Sequence, residues 1–288
     1  MNTYRYCGRD FSEDDLARIR AIIADHERYP HRYAISLAVC AALDWRKPNG
    51  TLKDMSCRVA LLRMQADGLI AQPPSRHTRA KARLPLPEML FEPEPIHASL
   101  SSLGPVQVRP IASRQEGHAW RELMDQYHYL GYTSLPGAQI RYVAESRSGI
   151  VALLAFGASA WKVAPRDDFI GWTSQQREQG LHLIVNNARF LIPPWIHVPH
   201  LASHVLAAVA RRLPDDWFAR YAYRPVLLET FVEIPRFKGT CYKAANWIYV
   251  GTTQGRGKLD VHKLRSLPPK DIYLYPLTKD FRQVLERS

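Results

Sequence analysis

Glu229, Glu233, Tyr242 and Asn246 crowd into residues 226–260, VLLETFVEIPRFKGTCYKAANWIYVGTTQGRGKLD. Glu229 follows Val226, Leu227 and Leu228, an apolar run of the length a buried strand needs. A partly desolvated carboxylate at the end of a strand has a raised pKa and can act as base on an exocyclic amine. The same position suits a plain ion pair with an arginine. Glu233 is the second carboxylate, and the two on one short stretch could hold a metal, although His and Asp partners at fixed spacing are missing. Tyr242 and Asn246 are four apart and would share a helical face. Tyrosine can give a proton to a leaving group, and asparagine can read an adenine edge with two hydrogen bonds. The alternative has Asn246 closing the helix while Trp247 fills the core. The QGRGK run that follows carries Arg256 and Lys258 and suits a phosphate contact. It lacks the spacing of a nucleotide-hydrolysing loop.

Other candidates lie upstream. Arg166, Asp168 and Trp172 follow an apolar strand, and aromatics beside arginines suit a flipped base or a single strand. An Arg166–Asp168 pair pinning a loop is the simpler reading. Asn186, Asn187 and Arg189 fall on a strand expected near the centre of the sheet. His128, in a Tyr-His-Tyr run, reads first as a buried, hydrogen-bonded histidine. Ser203 and His204 are adjacent on a helix, so their side chains diverge and make no catalytic pair.

The elements that must carry these groups can be read from periodicity and breakers. Strands are expected at 106–111, 140–145 and 150–156, the last two as a hairpin, then around 183–185, 226–228, 248–250 and 271–275. Trp120, Leu123, Met124 and Tyr127 share a helical face, and Leu201, Val205, Ala208 and Val209 begin a helix ending near Leu213. Two helical turns fit 240–247, and a short helix fits from Lys279. Strand, helix, antiparallel strands, helix, strand, helix, strand makes a mixed α/β unit, an order shared by acyltransferases of the GNAT type and permitted to other α+β sheets.

The N-terminal region differs. Ser12-x-x-Asp15 resembles a capping box ahead of a helix over 13–26. A second helix is expected over 32–43. A third opens at Thr51-x-x-Asp54, with Met55, Val59, Leu62 and Ala66 sharing a face and Gly68 at its C-terminus. Leu69 and Ile70 read as a short strand. Three helices and a strand are the order of a winged helix, whose third helix would bring Lys53, Arg58 and Arg63 to a major groove. A small helical bundle is the bland equivalent. Arg76, Arg79, Lys81 and Arg83 then suit a phosphate-contacting arm, and the prolines of 85–95 mark a boundary. The expected division is a winged-helix-like DNA-binding domain over 1–84, a proline-rich linker over 85–105 and a GNAT-like domain over 106–288.

The formal net charge is +12 over 288 residues, which favours a polyanionic partner, DNA first. None of Cys7, Cys40, Cys57 and Cys241 forms a C-x-x-C pair, which argues against structural zinc. With no secretory segment and no apolar run of about 20 residues, the chain reads as a cytoplasmic protein with reduced thiols and no membrane partner.

These motifs carry two resemblances. NGTLKDMSCRVALLRMQADGLI, YHYLGY, FGASAWKVAPRDDFIGW, NNARFLIPPW, LASHVL and the long run from Glu229 resemble the DruA family. Its members occur in Druantia anti-phage systems and beside transposase genes, which implies other defence proteins or a transposase as partners. Asn187-Ala188-Arg189, Leu201-Ala202-Ser203 and GTCYKAANWIYVG resemble the phage Mom proteins, GNAT-like enzymes that modify adenine in DNA. Gly239-Thr240, Tyr242, Ala244, Asn246, Tyr249 and Gly251 match the Mom pattern. Glu229 and Glu233 stand where that pattern has an aspartate-bearing segment. The resemblance also implies a bulge at Asn186–Arg189 that aims backbone N–H groups at a ligand. The usual acyltransferase run Q-x-x-G-x-G/A is absent, and 194–203 takes its place. An acyl-CoA-type donor would therefore lack its ordinary phosphate cradle, and the donor stays unassigned.

The expectation is α+β: a winged-helix-like domain, then a GNAT-like domain with a polar cleft of Glu229, Glu233, Tyr242, Asn246 and Arg189. Group transfer to a DNA base is expected, with Glu229 as base and Tyr242 as acid. The competing readings are a non-enzymatic DNA-binding factor and a metal-dependent DNA-cleaving enzyme using Glu229, Glu233 and Asp168.

Overall fold

The computed structural model describes residues 3–48, 50–74, 94–255 and 267–287. The chain divides into two compact units, Met1–Pro85 and Leu86–Ser288. The candidate contacts Arg76, Arg79, Lys81, Arg83, Arg256 and Lys258 lie outside the described residues. Among the described residues no helix is long and apolar enough to cross a membrane.

In the first unit a hairpin of β1 (Tyr4–Tyr6) and β2 (Arg9–Phe11) precedes α1 (Glu13–Ala24), α2 (Arg32–Ala42) and α3 (Asp54–Ala66). The Ser12–Asp15 capping box is present at the start of α1. One expectation here fails. Leu69 and Ile70 form no strand, so the small strands come before the helices and not after the third. The buried face of α3 is Cys57, Ala60, Leu61 and Met64, while Met55, Val59 and Leu62 are exposed. Both sets satisfy the helical period. A bridge between Arg46 and Leu52, with Lys53 N–H donating to Trp45 O at 2.9 Å, leads the chain into the helix. Of its basic residues, Lys53 is the N-cap and Arg63 is exposed. Arg58 pairs with Asp54 at 3.1 Å.

The second unit is built on seven strands. Its elements are β3 (Ile96–His97), α4 (Leu100–Leu103), β4 (Gln107–Pro110), α5 (Arg114–Tyr127), β5 (Gln139–Ser146), β6 (Gly149–Ala158), α6 (Ala164–Ile170), α7 (Ser174–Gly180), β7 (Ile184–Leu191), β8 (Ile196–His197), α8 (Leu201–Tyr221), β9 (Leu227–Glu233), α9 (Thr240–Ala244), β10 (Ile248–Thr252), β11 (Lys270–Pro276) and α10 (Phe281–Arg287). The end of the expected linker is structured, since β3 pairs with β8 and Leu103 is buried in the core. The helix α8 passes Pro214 and runs to Tyr221. Leu213 and Trp217 are buried on either side of that proline, so packing of the next turn outweighs the lost hydrogen bond.

The sheet order is β10-β11-β9-β7-β6-β5-β4. Every pairing is antiparallel except β7 with β9. That parallel ladder is short, with Ile184, Val185 and Asn186 opposite Leu227, Leu228 and Glu229. Beyond it β7 continues to Leu191 and β9 to Glu233, so the two strands part. A bulge sits at the same place: Phe156 faces Asn187 while the next residue back, Ala155, faces Arg189, leaving Ala188 extra. A central parallel pair that splays, within an otherwise antiparallel sheet, makes this a GNAT-like sheet.

Side chains alternate across β9. Leu228 and Val232 join the core under α8 and α9, whereas Leu227 and Phe231 pack with α6 and α10 on the other face. Glu229 and Thr230 therefore point to opposite faces of the sheet.

Candidate active site

The splay opens a cleft of about 880 Å³. One wall is β7 from Asn186, the other is β9 from Thr230 and the start of α9, and the loop after α5 closes the side. At its floor Tyr242 donates its hydroxyl to Asn187 Oδ1 at 2.7 Å. Thr230 Oγ1 donates to Asn187 O at 3.1 Å. Asn187 Nδ2 donates to Arg189 O at 3.1 Å, spanning the bulge. The three side chains thus hold the distorted backbone in place. Burial pushes the Tyr242 phenol above its ordinary value, so it stays protonated and remains a donor.

Arg189 is half-buried in the cleft wall. It donates to Gly131 O at 3.3 Å, Ala188 O at 2.7 Å and Thr133 Oγ1 at 2.8 Å. His128, in the loop after α5, lines the side of the cleft. Burial and then the Arg189 cation push its pKa down to about 4. Its Nδ1 accepts from Leu130 N–H at 3.2 Å, which places the proton of the neutral ring on Nε2.

Glu229 does not reach this cleft. It is fully buried on the other face, where Oε1 accepts from Ala160 N–H at 2.8 Å and Oε2 from Arg166 Nη1 at 2.8 Å. Burial raises its pKa, and Arg166 and the Ala160 N–H oppose that rise. Arg166 also donates to Asp167 Oδ1 at 2.8 Å, and Trp172 Nε1 donates to the same oxygen at 3.1 Å. Arg166 and Trp172, expected at a ligand, are thus committed to a buried network, and the partner of Arg166 is Asp167. Asp168 is exposed on α6. Glu233, at the end of β9, lies 3.8 Å from Arg236. The three carboxylates proposed for a metal therefore do not converge, and among the described residues no group of three or more His, Cys, Asp or Glu is placed to hold a metal ion.

Asn246 is separated from Tyr242 as well. The helix α9 stops at Ala244, and Asn246 takes a left-handed turn at φ 62° that ends it. Asparagine tolerates that region. Trp247 fills the core, as its bland reading had it. Of the expected cleft, Tyr242 and Arg189 come together with Asn187, and Glu229 and Asn246 do not. Thr230, Tyr129, Lys238 and Lys270 line it and carried no spacing signal.

A GNAT-like sheet implies an acyl-CoA donor, and the chain can be tested for it between β7 and α8. That segment, 192–200, holds Pro193, Pro194 and Pro199 and no glycine. Proline offers no N–H to a phosphate. The Ile196 N–H donates to Pro193 O at 3.0 Å, Ile196 and His197 pair with β3, and the N-cap of α8 is His200 at φ 66°. The pyrophosphate of coenzyme A does not fit this segment.

A family model described as Druantia protein DruA matches residues 87–267. The chain belongs to the DruA family. No curated protein matches the chain. Its fold is similar to an N-acetyltransferase from Staphylococcus aureus Mu50, at 13% identity and TM-score 0.39 over 61% of this chain and 100% of that one. It is also similar to the ribosomal-protein-S18-alanine N-acetyltransferase from Escherichia coli, at 9% identity and TM-score 0.36 over 60% and 94%. A Drosophila melanogaster polyamine N-acetyltransferase is similar at 11% identity and TM-score 0.39 over 60% and 100%. The GNAT-like character of this DruA member rests on its own strand order, splay and bulge.

Proposed function

We propose that this DruA protein transfers a small group onto a base of DNA, in the manner of the Mom proteins that its last third resembles, and serves anti-phage defence or a mobile element. The observation that carries the reading is the opening between β7 and β9, with a protonated tyrosine fixed at its floor. An exocyclic amine nitrogen forms the new bond to the donor's carbon, the bond to the leaving atom breaks, and the amine proton passes to water. Tyr242 gives its proton to the leaving atom, which must become at least as basic as this phenol, and the phenolate takes a proton back from water. At rest that proton lies on Asn187 Oδ1, and it turns to the leaving atom as negative charge builds there. Glu229 has no part in this scheme, because both its oxygens are engaged on the far face.

DNA is brought in by the net charge of +12, with Lys53 and Arg63 of the first unit among the contacts. Mass spectrometry of nucleosides from cells expressing the protein tests the reading. A new base in wild type that disappears in Tyr242→Phe is the expected result. An unchanged nucleoside profile from a protein that still binds DNA would overturn it in favour of a non-enzymatic DNA-binding factor.

A further inference from the structure

The cleft has a charge balance of its own. Among the described residues lining it are Arg189, Arg236, Lys238 and Lys270, with no aspartate or glutamate. Arg189 is the most committed of these cations. A guanidinium offers five N–H donors, and three of them go to neutral oxygens of Gly131, Ala188 and Thr133. Two donors remain on a side chain that lines the cleft, and among the described residues no carboxylate pairs with its charge. Arg166, fully buried in the same unit, has its charge met by Glu229 and Asp167. A half-buried cation held against neutral oxygens is costly unless an anion completes it.

The rim adds aromatic surface. Tyr129 and Phe237 meet edge-on at 5.1 Å between ring centroids. The Arg236 guanidinium lies 4.9 Å above Tyr129, and Phe237 is 45% exposed. An aromatic rim with cations behind it is the chemistry that holds a planar ring attached to a phosphate. The volume of about 880 Å³ is within the range of small-molecule sites.

We infer that the cleft binds a nucleotide, with its phosphate on Arg189 and its ring against Tyr129 and Phe237. The inference rests on the reading above and names the chemical class that the site takes. The phosphorylated ring can be a free nucleotide or one residue of a single strand, and the chemistry is shared.

Isothermal titration of the full chain tests it with dAMP, deoxyadenosine and a short single-stranded oligonucleotide. On wild type, dAMP binds and deoxyadenosine binds at least about tenfold more weakly, the value of a hydrogen bond to a charged group. Arg189→Gln loses at least about tenfold in dAMP affinity, with the thermal melt retained, and Phe237→Ala loses about fivefold or more through stacking. Displacement of dAMP by the oligonucleotide assigns the site to a residue within a strand. Failure to displace assigns it to the free nucleotide, and either supports the inference. Equal affinity for dAMP and deoxyadenosine in the unaltered protein, or an unchanged affinity in folded Arg189→Gln, would overturn it. The two proposals fail separately. Nucleotide binding without any new base sinks the transfer reading alone, and a new base made at full level by Arg189→Gln sinks this inference alone.

Discussion

Two groups of charged and polar side chains flank the point where β7 and β9 part, and they are arranged on opposite terms. On one face Glu229, Arg166 and Asp167 satisfy one another, closed over by α6 and Trp172. In the cleft, Arg189 meets only neutral oxygens, and Tyr242 is tied to the bulge through Asn187. The first arrangement spends its charges internally and leaves nothing for a substrate. The second holds charge in reserve. A carboxylate one residue past an apolar run is thus no guide to a site unless its partner is known.

The contrast can be broken most forcefully at Glu229. Its replacement by alanine leaves Arg166 and Arg177, which lies 3.6 Å from Asp167, with that one carboxylate between them, and the buried excess of positive charge is expected to cost about 3–5 kcal/mol in chemical denaturation. A variant as stable as wild type would show that the buried network is not structural. Tyr242→Phe is expected to cost about 1–3 kcal/mol, since Asn187 Oδ1 loses its buried donor.

A third handle is pH. The folded pKa of His128 is about 4, below its ordinary 6.5, so the unfolded chain binds the extra proton between those values. Its contribution is therefore fully present above pH 6.5 and is lost as pH falls towards 4. His128→Gln should flatten the stability profile across that window, measured by thermal melts at stepped pH. An unchanged slope would place the histidine in water. The smallest effect is expected at Asn246, where alanine in a left-handed turn costs about 1 kcal/mol and leaves nucleotide affinity untouched. A drop in that affinity would return Asn246 to the site.

Much of the scaffold was legible because it rests on local signals. The Ser12–Asp15 box, the α5 stripe of Trp120 and Met124, and the hairpin between β5 and β6 follow from spacing. The site was legible only in part. Glu229 meets an arginine 63 positions away, and Tyr242 meets an asparagine 55 positions away. No periodicity links such pairs, and the topology of the sheet alone brings them together. The packing face of α3 was not legible for a related reason, since two stripes of equal period compete within the helix. Pro214 misled because a proline signals a break, whereas Trp217 anchors the turn after it.

Hydrogen exchange with and without bound dAMP, followed peptide by peptide, tests most directly whether ligand enters the splay. Slowed exchange should be confined to the loop after α5 and its His128, to β7 from Asn187 onward, and to the stretch from Phe237 to Tyr242. Protection centred instead on α6 and α7, above Glu229 and Arg166, would contradict the account.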